Sequence, residues 1–513
     1  MNRHIACGAV ASIVFTSTSV IVAFIQLRLI VHFLPPDLAG LWLLFLTVGS
    51  YVTFFDLGIS PTVGREMSFA IGAKDADERD RTRRIAELLT TVWRVLRVLA
   101  VCAGFVSIAV GEALILSSPH YRPNHTVQLT WAIFGFGASL NLIGSASLAG
   151  LYGLGRVATE KLIRSLSLAV GLALTAATLM LNWGILGLAI AWLIQGALAG
   201  GLGWYYLHRT LPEILDRSFS PNWMLAKKLV SPSLKFALIQ LGAIFILQSA
   251  NPLIAIMLGT SAIPPYEALS KIAATLMTLA LLIVNSSSPY FSMSYAAGEF
   301  DNLRQLLERN LQLGVGLIII LGAFVAIQGD RIAAVWLGPS KFAGFLVLWV
   351  LLFMVLLEVH HVIFATAVMA AGQIVFVWAA LISGALNIIL ALSLVGRFGL
   401  LGIALAIALA QLVTNNWYVP YVAVRFFKIS IPHLARRVWL PLFFLLAAEM
   451  ATDILIRRLP WLSGNGIARL TVSFVASTSL GVFLWVCLVL QTGERTQILS
   501  WISERPAVTT EHA

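Results

Sequence analysis

Along this chain, long apolar runs alternate with short polar connections from one end to the other. About 20 consecutive apolar residues are needed for a helix to cross a bilayer. About fourteen stretches meet or approach that length: 8–33, 40–63, 90–117, 128–152, 162–181, 185–206, 232–257, 266–293, 310–336, 343–370, 373–395, 400–424, 438–456 and 467–491. The pattern predicts an all-α integral membrane protein with about fourteen transmembrane helices. An even number puts both termini on the same side of the membrane.

Composition agrees with this reading. Of 513 residues, 59% are hydrophobic and 11% are charged, with a mean hydropathy of +0.90. That balance excludes a set of soluble domains. The net charge of +11 does not point to nucleic acid, because the cations sit in short loops between apolar runs. With both termini in the cytoplasm, 25 of the 34 Lys and Arg residues fall inside and 9 outside. The heaviest cluster, "REMSFAIGAKDADERDRTRR", follows the second span and reads as a solvated cytoplasmic face. The cysteines Cys7, Cys102 and Cys487 are far apart, with no metal or disulfide spacing, and read as small buried hydrophobes. No cofactor motif and no phosphate-binding G-x-x-x-x-G-K-[ST] loop occurs, so ATP hydrolysis by that route is not expected.

Self-comparison reveals a repeat. "FLPPDLAGLW" at 33–42 resembles "AIPPYEALSK" at 262–271, and Ser60-Pro61 recurs as Ser288-Pro289. "GILGLAIA" at 184–191 matches "GLLGIALA" at 399–406. The unit is about six spans, so both copies enter the membrane from one side, as parallel repeats. The expected organisation is a six-helix lobe at 1–206, a cytoplasmic linker at 207–231, and a second six-helix lobe at 232–424. Two further helices at 438–491 and a cytoplasmic tail at 492–513 complete it. Two similar bundles facing one another suit alternating access.

The stretch "FLPPDLAGLWLLFLTVGSYVTFFDLGISPTVGREMSFAIGAKD" resembles the N-terminal signature of the polysaccharide transporter branch of the MOP superfamily. Gly40-Leu41-Trp42, Asp56-Leu57-Gly58 and the Arg65–Gly72 stretch carry the likeness. The resemblance implies export of undecaprenyl-pyrophosphate-linked oligosaccharide across the bacterial inner membrane, for lipopolysaccharide O-antigen or exopolysaccharide. It implies partners in the polysaccharide polymerase and export machinery, beside membrane lipids, and no enzymatic activity.

A charge at membrane depth costs about 2.5–3.5 kcal/mol on insertion scales and marks a functional candidate. Arg28 lies in the outer third of the first span. Glu267 and Lys271, four residues apart, begin the eighth and share a helix face. Arg28, Lys271 and Arg65 are the candidate pyrophosphate ligands, with Glu267 holding Lys271. Snorkelling of Arg28 and Lys271 to the outer headgroups is the competing account. Asp56, Gly58 and Pro61 form a break at the end of the second span, with a structural or gating role. Glu358, His360 and His361 in the tenth span suit either a proton relay or a polar helix interface. Glu449 and Asp453, near Arg457 and Arg458, read as an outer-edge ion-pair group. "GALAG" at 196–200 has the spacing of close helix packing.

Three other functions compete. A cation-coupled multidrug exporter of the same superfamily resembles a twelve-span chain with an acid in its first span, whereas residues 8–33 hold no Asp or Glu. A lipid II flippase shares the fourteen-span plan. A polytopic glycosyltransferase or polymerase needs acidic residues on sizeable outer loops, and the outer loops here are short.

Overall fold

The computed structural model describes residues 2–56, 67, 78–117, 125–212, 234, 237–373, 375–462 and 466–490. Among them the regular structure is helical throughout. The helices are α1 (Asn2–Phe33), α2 (Pro36–Tyr51), α3 (Glu78–Ser117), α4 (His125–Gly153), α5 (Val157–Met180) and α6 (Gly184–Thr210). They continue with α7 (Ala237–Leu247), α8 (Ala250–Met257), α9 (Ile263–Ala296), α10 (Phe300–Trp336) and α11 (Phe345–Ala370). The last are α12 (Val377–Phe398), α13 (Leu400–Val413), α14 (Asn415–Phe426), α15 (Leu440–Arg458) and α16 (Ile467–Leu488).

Among the described residues, twelve helical stretches are long and apolar enough to cross a membrane. The pair α7 and α8, bent by 43° at a short break, makes a thirteenth when counted as one broken span. Thirteen of the fourteen expected spans therefore coincide with helices. The second differs: its α-helix ends at Tyr51 and passes into a 3₁₀ turn over Val52–Asp56. Its expected continuation, with Gly58, Pro61 and Arg65, lies outside the described residues. The large side chains left on the surface, such as Phe105, Trp378 and Ile467, are apolar. A lipid solvent accounts for such faces.

The chain divides into two compact units, Met1–Lys271 with Phe376–Ala410, and Ile272–Val375 with Gln411–Ala513. These units group helices by packing; the lobes 1–206 and 232–424 are an expectation from the sequence repeat alone.

In the first unit, α4 packs along α6, and α1 packs along α5. Small residues allow the α4–α6 contact. A Cβ on Gly144 would lie 2.8 Å from the Gly200 Cα, so the two backbones touch there. This bears out the close packing expected of "GALAG". Trp42, Phe45, Trp131 and Phe134 are almost fully buried and form an aromatic cluster between α2 and α4. The Trp131 indole N–H donates to the Ile108 carbonyl at 3.1 Å, so burial leaves that polar atom satisfied.

The second unit is built on α10, which packs against α11, α15 and α16. Two expectations are corrected here. Glu449 and Asp453 are fully buried, not at an outer edge, and neither takes part in an ion pair with Arg457. Arg457 instead makes a two-pronged contact with Asp330 of α10, at 3.0 and 2.8 Å. The planar guanidinium fork fits a carboxylate in this way, and α15 continues one turn past Asp453 to deliver it. The three cysteines are exposed rather than buried, on helices whose outward faces meet lipid, where a thiol costs little.

Candidate functional site

Among the described residues of the first unit, several polar side chains converge where α7 breaks into α8. The sequence there reads "LQSANP" over 247–252, a polar cluster inside an apolar span. Ser249 and Pro252 disfavour an uninterrupted helix, since proline supplies no N–H to the ladder. The break frees carbonyls that must find donors away from water. Asn387 of α12 supplies some: its amide donates to Phe245 O at 2.7 Å and to Ser249 Oγ at 2.9 Å. Tyr51 at the end of α2 donates its hydroxyl to Gln248 O at 2.8 Å. Ser50 Oγ also hydrogen-bonds the Gln248 side-chain carbonyl.

From this break the network reaches the sequence-predicted charges. The Asn251 amide, almost fully buried, donates to Thr47 Oγ1 at 2.8 Å and to Glu267 Oε2 at 3.1 Å. The other Glu267 oxygen pairs with Lys271 Nζ at 3.2 Å. The Glu267 side chain is 17% exposed and the Lys271 side chain 33%. The acid is therefore seated and hydrogen-bonded, while the ammonium is the more exposed of the two. Such an arrangement can present a cation to an anionic ligand without burying it unpaired.

The helix carrying this pair is held at its start by backbone packing. Gly40 of α2 lies against the 3₁₀ turn Thr260–Ala262 that precedes α9. A Cβ on Gly40 would sit 1.7 Å from the Thr260 carbonyl oxygen. Only glycine permits that approach, which gives the Gly40-Leu41-Trp42 motif a physical reason.

The remaining candidates are distributed differently. Arg28 is exposed on α1. Asp56 ends the 3₁₀ turn after α2 and is half-buried. Gly58, Pro61 and Arg65 lie outside the described residues. In the second unit, His361 Nε2 stands 3.9 Å from Glu358 Oε1, and its Nδ1 lies 3.3 Å from Leu357 O. His360 points elsewhere, edge-on to Phe364 and tilted against Trp439. The three residues thus split into a Glu358–His361 pair and a separate aromatic contact.

Sequence reasoning found Glu267 and Lys271 and passed over Thr47, Tyr51, Gln248, Asn251 and Asn387. The available signal was the run of polar residues at 248–251 within an otherwise apolar span.

Solved structures give the architecture a context. The chain is similar to an inward closed conformation of the lipid II flippase MurJ, at 13% identity and a TM-score of 0.61, covering 94% of this chain and 99% of that one. It is also similar to an inward-facing multidrug resistance MATE family transporter of the MOP superfamily, at 15% identity and a TM-score of 0.61, covering 80% and 94%. The chain has the fold of the MOP-superfamily transporters. By sequence, it is 26% identical over 248 residues to the uncharacterized membrane protein EpsK of Bacillus subtilis strain 168. That match covers 45% of this chain and 47% of the relative, so it spans about half the length of EpsK. No protein-family model matches the chain.

Proposed function

We propose that this MOP-fold protein is a flippase that moves undecaprenyl-pyrophosphate-linked oligosaccharide across the bacterial inner membrane for surface polysaccharide synthesis. The observation that carries the reading is the Glu267–Lys271 pair, a cation on an apolar helix held by a carboxylate that Asn251 fixes in turn. A pyrophosphate needs such a cation, because burying an unpaired anion is costly. Arg28 supplies a second, and Arg65 a third. The first span offers no acid for cation coupling of the multidrug type.

Transport proceeds by alternating access of the two six-helix lobes, 1–206 and 232–424, and uses no ATP on this chain. The termini and the 207–231 linker are cytoplasmic. Asp56, Gly58 and Pro61 act as a hinge at the end of the second span. Glu358 and His361 serve as a polar interface or a coupling pair. The polymerase and export machinery of the pathway take the product.

A second reading is a lipid II flippase, favoured by the 94% of this chain that the MurJ fold covers, against 80% for the multidrug transporter. Deleting the gene separates the two. Accumulation of a lipid-linked surface-glycan precursor on the cytoplasmic leaflet is expected, with peptidoglycan synthesis intact. Accumulation of lipid II would instead establish the second reading.

A further inference from the structure

At one polar end of the second unit the chain encloses a cavity of about 880 Å³. The first turns of α10 supply Arg304, Glu308 and Arg309 to its wall. The segment joining α14 to α15 supplies Lys428, His433 and Arg437. Charge is not balanced among these groups. Arg304 is committed: its Nε donates to Phe427 O at 2.9 Å, and its guanidinium pairs with Asp301 at 2.7 Å. Glu308 is committed as well, facing His433 Nε2 at 3.1 Å. Arg309, Lys428 and Arg437 form no ion pair among the described residues. Three cations therefore share one cavity whose two acids are already engaged.

The backbone is shaped to present them. Lys428 adopts a left-handed conformation, φ +52°, immediately after α14. Such a conformation is unfavourable for a residue with a Cβ. Arg437 sits in a π-helical turn, Ala435–Trp439, a widened geometry that recurs at functional sites. Gln312 of α10 secures that turn by donating to Arg437 O at 3.0 Å. Just beyond it, Trp439, Leu440, Phe443 and Phe444 are exposed on the start of α15. A cationic cavity thus opens beside an uncovered apolar face at the end of a membrane span.

We propose that this cavity binds the phosphate headgroup of an anionic membrane lipid, whose acyl chains lie along the exposed face of α15. The cations recognise the phosphate, and the apolar face distinguishes a lipid from free phosphate. The cation bias of the loops assigns this end to the cytoplasmic leaflet, where anionic lipids attract basic segments. The inference goes beyond the transport reading and does not depend on it.

The test uses the purified full-length protein, exchanged into phosphatidylglycerol or phosphatidylcholine, with retained lipid counted by native mass spectrometry. Selective retention of phosphatidylglycerol is expected. Each cation near a membrane surface contributes about fivefold, so R309Q/K428Q/R437Q should bind about a hundredfold more weakly. R309K/R437K should keep the lipid, because charge is preserved. R425Q is the control, since Arg425 lies outside the cavity and hydrogen-bonds Tyr421. If the triple variant does not fold, R309Q alone, at an exposed position, should still show about a fivefold loss. Equal retention of phosphatidylcholine, or unchanged retention in the variants, would overturn the assignment. So would displacement of the lipid by inorganic phosphate alone, which would mark a free-anion site.

Discussion

Asn251 gives the sharpest energetic test of the site. Its amide ties α2 to α9 through two hydrogen bonds, to Thr47 Oγ1 at 2.8 Å and to Glu267 Oε2 at 3.1 Å. Asn251→Ala removes both and leaves the carboxylate with Lys271 as its remaining partner in the network. A hydrogen bond to a charged acceptor is worth about 1.5–3 kcal/mol in water-soluble proteins. Between membrane helices the measured average is about 0.6 kcal/mol and the maximum about 1.7 kcal/mol, because the unfolded chain in lipid also finds partners. Burial of Asn251 and the negative charge of Glu267 put this pair near the upper end, at about 1–1.5 kcal/mol. Single variants cannot isolate that figure, since Glu267→Ala also releases Lys271. A double-mutant cycle of Asn251→Ala and Glu267→Ala subtracts the Lys271 contribution. The cycle is measured by SDS-induced unfolding in mixed micelles. Additivity within about 0.3 kcal/mol would show that the two side chains do not share the proposed bond, and the account of how Glu267 is positioned would be lost.

Other outcomes follow from the same geometry. Arg28→Ala and Lys271→Ala should abolish glycan export while the protein still reaches the membrane, and Arg28→Lys should retain part of the activity; normal export by both alanine variants would favour snorkelling. Gly40→Ala should lower the thermal unfolding midpoint through about 1–3 kcal/mol of overpacking against the Thr260 carbonyl, and an unchanged midpoint would contradict that contact. Reporter fusions at Arg309 should read cytoplasmic and fusions at Lys341 external; reversal of the pair would invert the orientation. Purified protein should show no substrate-stimulated ATP hydrolysis.

The sequence by itself determined the class of structure and most of its helices. Twenty-residue apolar runs have one stable solution in lipid, a helix that satisfies its own backbone, and thirteen of the expected spans appear where the runs predict them. The Glu267–Lys271 pair was legible because four residues make one helical turn. What the sequence left open depended on neighbours distant along the chain. Nothing local to Glu267 indicates that Asn251 and Thr47 meet it, or that Asn387 closes the break at Ser249. Glu449, Asp453 and Arg457 look like an ion-pair group on one helix, yet Asp330, well over a hundred residues away, takes the arginine. Helical spacing fixes which side chains share a face. Only the packing of one helix on another decides which groups that face meets, because hydrogen-bond partners across helices are selected by close approach in space rather than by separation in sequence.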